Sequence, residues 1–339
     1  MKVCRIKIRT VIAEVKVMER EDCLIIGGGP CGLAAAIALK DAGKNPLIIE
    51  KGNIVNSIYN YPTHQTFFSS SEKLEIGSVP FVNEELKPKR NQALVYYREV
   101  TKRKHLRINR FERVEKVEKQ GNGLFKVTSE KQVYETPYVI VATGYYDHPN
   151  YLNIPGENLD KVFHYFKEAH PFFDTDVVVI GGKNSAVDAA IELNKAGARV
   201  TALYRGTKYS ESVKPWILPE YDSLVRNEHI KMEFSAQIKE ITETHVVYQT
   251  GNELKKIKND FVFAMTGYHP DHSFIKNMGV ELDDVTGRPL HNPETMETNI
   301  EGIFIAGVIA AGNNANEIFI ENGRFHGGLI SASIIEREK

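Results

Sequence analysis

Short unbroken apolar runs bounded by glycine recur along the chain, and they come in a repeated order. Cys23-Leu24-Ile25-Ile26 runs into Gly27-Gly28-Gly29-Pro30-Cys31-Gly32, then into the helical stretch Leu33 to Lys40, then into Leu47-Ile48-Ile49-Glu50. Four apolar residues in a row without polar alternation read as a strand covered on both faces, so this order predicts a buried strand, a tight turn, a helix and a second buried strand. The same order returns at Asp176 to Ile180, Gly181-Gly182-Lys183-Asn184-Ser185-Ala186, the helical Val187 to Ala196, and Ala198 to Arg205. Two further runs, Tyr138 to Gly144 and Phe261 to Tyr268, end in small residues and lead into proline-bearing connections. A last buried run spans Thr298 to Gly307, followed by a Gly/Asn-rich turn and a predicted helix over Gly323 to Ile335.

Two such units, each closed by its own small-residue strand, predict an α/β chain with two Rossmann-like, three-layer dinucleotide-binding domains. The second, 150–268, is inserted into the first, which comprises 20–149 and 269–339; proline-rich stretches such as 145–155 suit a boundary. Elsewhere the pattern predicts a helix over Lys87 to Lys104 and short strands from His105 to Val139 around the turn Gln120-Gly121-Asn122-Gly123. Asn53 to Phe81 reads as an aromatic loop without regular elements, against which a planar ring could lie. Residues 1–19 stand apart. Lys2 to Val17 alternates basic and apolar positions as an extra edge strand would, whereas Met18-Glu19-Arg20-Glu21-Asp22 resembles a natural start, making the preceding leader an upstream-start artefact.

Composition narrows the partners. The 339 residues are 42% hydrophobic and 26% charged with a formal net charge of -1, which points to small-molecule ligands rather than nucleic acid. No apolar run approaches the roughly 20 residues of a membrane span, and the N-terminus lacks a signal-peptide core, so the expected place is the cytoplasm. Cys4, Cys23 and Cys31 are too few for a disulfide framework, and the eleven histidines lack metal-ligand spacing, so no metal is expected.

The chemistry is concentrated in the glycine turns. Gly27, Gly29 and Gly32 fit the dinucleotide fingerprint: a tight turn, a close backbone approach to pyrophosphate, and close helix packing. Glu50 ends the next strand where a carboxylate accepts from ribose hydroxyls. The second unit departs at Lys183 and Ala186, and its second strand ends in Arg205 with Lys208 close behind, a basic pair that favours a 2′-phosphate and hence NADPH over NADH. Cys23 reads as a core residue. Cys31, in the first turn of a helix, reads either as a small packing residue or as a thiol whose ionisation the helix dipole assists.

These motifs together resemble the two-domain flavoprotein reductases of the thioredoxin reductase type. Within them GGGPCG, YPTHQTFFSSSEKLEIG, GGKNSA and AGNNANEIFIENGRFHGG are similar to the bacillithiol disulfide reductases over nearly the whole chain from residue 20. The resemblance implies FAD on the first domain and NADPH on the inserted one, a low-molecular-weight disulfide as acceptor, Cys31 as the catalytic thiol, and a homodimer or homotetramer. It implies FAD contacts at Gly27, Gly29, Gly32, Glu50, Lys51, Gln65, Thr66, Val114, Thr143, Gly144, Gly307 and Asn313. NADPH contacts are implied at Gly181, Asn184, Ser185, Arg205 and Lys208, His64 is a candidate proton donor, and 145–155 and 268–285 are expected hinges. Two departures stand out: the chain has no CxxC pair, and Gly307-Val308 replaces the usual Gly-Asp. Three alternatives are a flavin monooxygenase, from the stretch Phe163 to His170, a ferredoxin or flavodoxin reductase using the lysines and arginines of 87–104, and a nucleotide sensor without activity.

Overall fold

The structure is a computed structural model that describes residues 18–339, so the alternating stretch expected to form a leader or edge strand lies outside the described residues. Two five-stranded parallel sheets carry the chain. The first has the order Ile303–Ile305, Val139–Val141, Leu24–Ile26, Leu47–Glu50, Arg107–Arg110. The second has the order Ile230–Glu233, Arg199–Leu203, Asp176–Ile180, Phe261–Ala264, Val162–Phe163. The first sheet thus takes strands from both ends of the chain, and the second is built wholly from the middle. Their central strands are buried, as apolar runs without alternation require.

Strand geometry makes each sheet the middle of a layered stack. In the second, Val177 and Val179 point to the helix side with Val187 and Ile191, while Val178 and Ile180 point to the antiparallel meander with Val246 and Tyr248. That meander runs Ala236–Ile241, His245–Thr250, Glu253–Lys258. A matching meander of Val114–Lys119, Phe125–Ser129 and Val133–Thr136 belongs to the first unit. Two three-layer α/β units therefore form, as the hydrophobic pattern predicts. On the first sheet the helices Pro30–Asp41 and His326–Arg337 meet so closely that a Cβ on Gly327 would lie 2.6 Å from the Ala35 Cα.

Met18–Arg20, at the end of the stretch the sequence sets apart, pairs in parallel with Val133–Thr136 and extends the first meander. One local expectation needs correction. The aromatic stretch after Asn53 contains two short helices, Asn56–Asn60 and Ser71–Leu74, which its irregular composition concealed.

The connections that leave and re-enter the first unit lie side by side. Asn150 N–H donates to the Gly267 carbonyl at 2.9 Å, and Pro149 bridges Tyr268. Tyrosines knit them further: Tyr165 stacks on Tyr268 at 5.2 Å, Tyr146 meets Tyr268 at 4.6 Å, and the Tyr165 hydroxyl donates to the Tyr146 carbonyl at 2.8 Å.

Candidate active site

The first glycine turn is fixed by what its backbone touches. Gly27 has φ +111°, and a Cβ there would lie 2.5 Å from the Ala142 carbonyl; one on Gly32 would lie 2.0 Å from the Gly27 carbonyl. Both are required by the fold itself. Gly29 differs: a Cβ there meets nothing within 4 Å, because the residue faces a cavity of about 410 Å³. The helix Pro30–Asp41 opens on that cavity with no side-chain cap on its first turn, which leaves its positive end to an anion.

The cavity wall collects most of the residues expected to hold FAD: Gly27, Gly29, Glu50, Lys51, Gln65, Val114, Thr143, Gly144 and Gly307 all line it, with Cys31 among them. Glu50 accepts from the N–H of Gly28 and of Gly52, both at 2.7 Å. Burial raises its pKa, while these two backbone bonds hold the rise back. Lys51 is paired with Asp147 at 2.7 Å. The Thr143 hydroxyl is buried on the wall without a partner among the described residues, a polar atom that a bound ligand would satisfy. An uncapped helix, a glycine over open space and an orphaned hydroxyl on one wall fit a phosphate-bearing cofactor.

Other expected contacts fall elsewhere. Gly32 is buried behind the turn, and Gly181 (φ +142°) is packed 2.4 Å, at its Cβ position, from the Met265 carbonyl. Thr66 is off the wall, its backbone bridging Lys89. Asn313 is exposed and off the cavity wall, its backbone N–H bonded to the Thr286 carbonyl at 2.9 Å. His326, which no motif position singles out, holds the Gly307 backbone. Its Nδ1 accepts from the Gly307 N–H at 3.2 Å, and burial together with His291 lowers its pKa, which keeps the ring neutral and able to accept.

Cys31 requires a further correction. Its residue reaches the cavity, but its thiol is walled in by two glycines, Sγ lying 3.0 Å from the Cβ position of either Gly307 or Gly323. Burial pushes the thiol up to about 12, against the direction in which a helix dipole acts. Cys23, a core residue as expected, is pushed up to about 12 as well.

The second unit reaches the same cavity. Asn184, Ser185 and Asp188, at the start of the helix Asn184–Lys195, line it opposite the first glycine turn, and this helix also lacks a side-chain cap. Asn184 does more than face a ligand: its Nδ2 donates to the Ser212 carbonyl at 2.8 Å and its Oδ1 accepts from the Lys214 N–H at 2.9 Å. Arg205 is exposed beyond the strand end, and Lys208 pairs with Glu211 at 3.1 Å; both lie off the cavity. His64 is also off the wall and faces Asp188 and Glu192 at 3.9 and 4.0 Å. Among the described residues no group of three or more His, Cys, Asp or Glu is arranged to hold a metal, and no helix is long and apolar enough to cross a membrane.

Two uncapped helices from two units, opening on one cavity that the Cys31 residue also reaches, match a known family. Residues 24–307 fit the pyridine nucleotide-disulphide oxidoreductase model. The chain belongs to this family. As a pyridine nucleotide-disulphide oxidoreductase it is an enzyme that uses FAD and NAD(P)H. Among curated proteins it is 69% identical over 322 residues to the bacilliredoxin reductase Bdr of Bacillus subtilis (strain 168), covering 95% of this chain and 99% of the relative. Among solved structures it is similar to the bacillithiol disulfide reductase Bdr (YpdA) from Bacillus cereus, at 66% identity and TM-score 0.93 over 94% of this chain and 100% of that one. The Staphylococcus aureus protein of the same description matches at 60% and 0.92, over 95% and 100%.

Proposed function

We propose that this chain is an NADPH-dependent flavoprotein reductase of a low-molecular-weight disulfide, with bacillithiol disulfide as the substrate. One observation carries the reading: Asn184 and Ser185 of the second unit and Gly29 and Cys31 of the first open on the same cavity. FAD, when bound, takes hydride from NADPH and passes the electron pair on to a disulfide. The first unit (20–149 and 269–339) holds FAD, and 150–268 holds the nicotinamide nucleotide. In this reading Gly29 lets the pyrophosphate approach, Glu50 fixes the turn and meets the ribose, and Thr143 donates to the cofactor. Arg205 and Lys208, outside the cavity at the strand end, suit the 2′-phosphate and hence NADPH.

Cys31 is the attacking thiol in this reading. Its sulfur bonds to one sulfur of the substrate disulfide as the S–S bond breaks, and the other half leaves as a thiol carrying the proton that Cys31 gives up. The electron pair from NADPH would then break the S–S bond between Cys31 and the retained half. With the proton of the hydride and one from solvent it would release that half as a thiol and restore the Cys31 thiol. The relatives' descriptions name both bacillithiol disulfide and bacilliredoxin, so the small disulfide and a protein disulfide are the two acceptors to test. A cytoplasmic homodimer or homotetramer is the expected form.

The test is an anaerobic titration of purified holoprotein with NADPH, followed by bacillithiol disulfide or oxidised bacilliredoxin, watching the flavin absorbance. Bleaching by NADPH and recovery with bacillithiol disulfide is the expected result. Recovery only with the protein disulfide moves the acceptor, and recovery with neither overturns the reading.

A further inference from the structure

At the mouth of the cavity one ammonium group gathers three aromatic rings from three segments. Lys214 Nζ lies 5.5 Å from the Phe68 ring centroid, 5.9 Å from that of Trp216 and 5.6 Å from that of Phe319. Phe68 and Phe319 line the cavity, and Trp216 sets its edge against Phe68 at 5.8 Å from the second unit. Lys87 places a second ammonium 4.5 Å over Trp216. Among the described residues neither Lys214 Nζ nor Lys87 Nζ has a carboxylate within 4.0 Å or a hydrogen-bond acceptor. The acids close by in sequence to Phe319 are already engaged, Glu321 by Ser69 Oγ at 2.9 Å and Lys73 at 3.8 Å, and Glu317 by Arg288 and by Asn314 Nδ2 at 3.2 Å.

Ring faces hold and orient an ammonium, but they neither cancel its charge nor use its three N–H donors. Two such groups beside Phe68 and Phe319, whose rings line the cavity, keep N–H donors free for an anionic group at this spot, while the acids of the wall, Glu50, Glu112, Asp147, Asp188 and Asp271, belong to other stretches of the chain. The position is held from behind, since the Lys214 backbone is bonded to the side chain of Asn184. We propose that Lys214, seconded by Lys87, is the specificity-determining group of this enzyme and selects disulfides that carry carboxylates, one of which pairs with the Lys214 ammonium while the substrate lies against Phe68, Trp216 and Phe319. The proposal rests on the reading of the chain as a disulfide reductase and adds the charge of the substrate it takes.

Trp216 is the only tryptophan in the chain, so its emission reports on the mouth directly. Holoprotein is titrated with the dianionic dithiodipropionate and with the neutral hydroxyethyl disulfide, following Trp216 fluorescence, and turnover with NADPH is measured in parallel. The wild type is expected to bind the dianion about tenfold more tightly than the neutral disulfide, as one charge-assisted pairing implies. That preference is expected to disappear in Lys214→Gln, to return in Lys214→Arg, and to weaken with added salt. Equal binding of the two disulfides by the wild type overturns the proposal, as does equal weakening of both in Lys214→Gln. Slower bleaching of the flavin by NADPH in Lys214→Gln also overturns it, making Lys214 a domain latch or a nucleotide ligand. A charge preference that survives without turnover of any disulfide supports the recognition role and overturns the reductase reading instead.

Discussion

The Oδ1 of Asn184 accepts from the backbone N–H of Lys214 at 2.9 Å while its Nδ2 donates to the Ser212 carbonyl at 2.8 Å, so one amide joins the nucleotide-facing helix to the loop at the cavity mouth. Asn184→Ala removes both bonds, a loss of about 1–2 kcal/mol of local order. The expected outcome is lower fluorescence anisotropy at Trp216 together with a raised KM for NADPH, both read on the holoprotein.

The glycines of the first turn separate folding from cofactor binding. Gly32→Ala drives a Cβ to 2.0 Å from the Gly27 carbonyl and is expected to cost at least about 3 kcal/mol, seen as a large drop in melting temperature. Gly29→Ala meets no protein atom within 4 Å and is expected to melt near the wild-type temperature once both are stripped of flavin. It should nevertheless purify with little FAD, because the methyl stands where the phosphates approach.

Glu50 holds the backbone N–H of Gly28, which is buried, and that of Gly52, which is half-buried. Glu50→Ala leaves the Gly28 N–H buried and unmatched, at a cost of about 1–3 kcal/mol. A lowered melting temperature already visible in the apoprotein is the outcome that checks it.

With the Cys31 thiol pushed up to about 12, its thiolate is scarce at neutral pH and grows about tenfold for each pH unit below that value. Alkylation of Cys31 by iodoacetamide, followed by mass spectrometry, is therefore expected to be slow at pH 7 and to keep rising through pH 9 without a plateau. Holoenzyme turnover by Cys31→Ala separates this chemistry from packing: retained bacillithiol disulfide reduction with FAD bound removes the thiol from the mechanism.

Burial lowers the pKa of His64, but the Asp188 and Glu192 carboxylates outweigh it and the net shift is upward. A raised histidine contributes stability that is fully present below its unfolded pKa, about 6.5, and is lost as pH rises through the higher folded value. The wild type should therefore exceed His64→Gln in melting temperature below about pH 6.5 and converge with it above the folded pKa. The side chain is partly exposed, so the gap should stay under about 1 kcal/mol.

What the sequence made legible is what short-range chemistry controls. Glycine spacing after Ile26 and Ile180 implied strand, turn and helix twice over, and the apolar runs implied buried parallel strands; both arise from steric rules that act over a few residues. Thr66 and Asn313 adjoin motif residues yet lie off the cavity wall, their backbones held by Lys89 and Thr286, partners that sequence does not reveal. At Cys31 the helix dipole is visible in the sequence, whereas the burial that raises the thiol's pKa is not. Lys214, Phe68, Trp216 and Phe319 come from distant segments, and only the folded chain brings them to one rim.

The side-by-side path of the two linking segments has a mechanical meaning. With Asn150 tied to Gly267, and Tyr146 and Tyr165 both leaning on Tyr268, the segments cannot flex one at a time. Any swing of the middle unit has to twist them as a single paired stem, and freedom to pivot is then governed by how readily three phenol rings slide past one another.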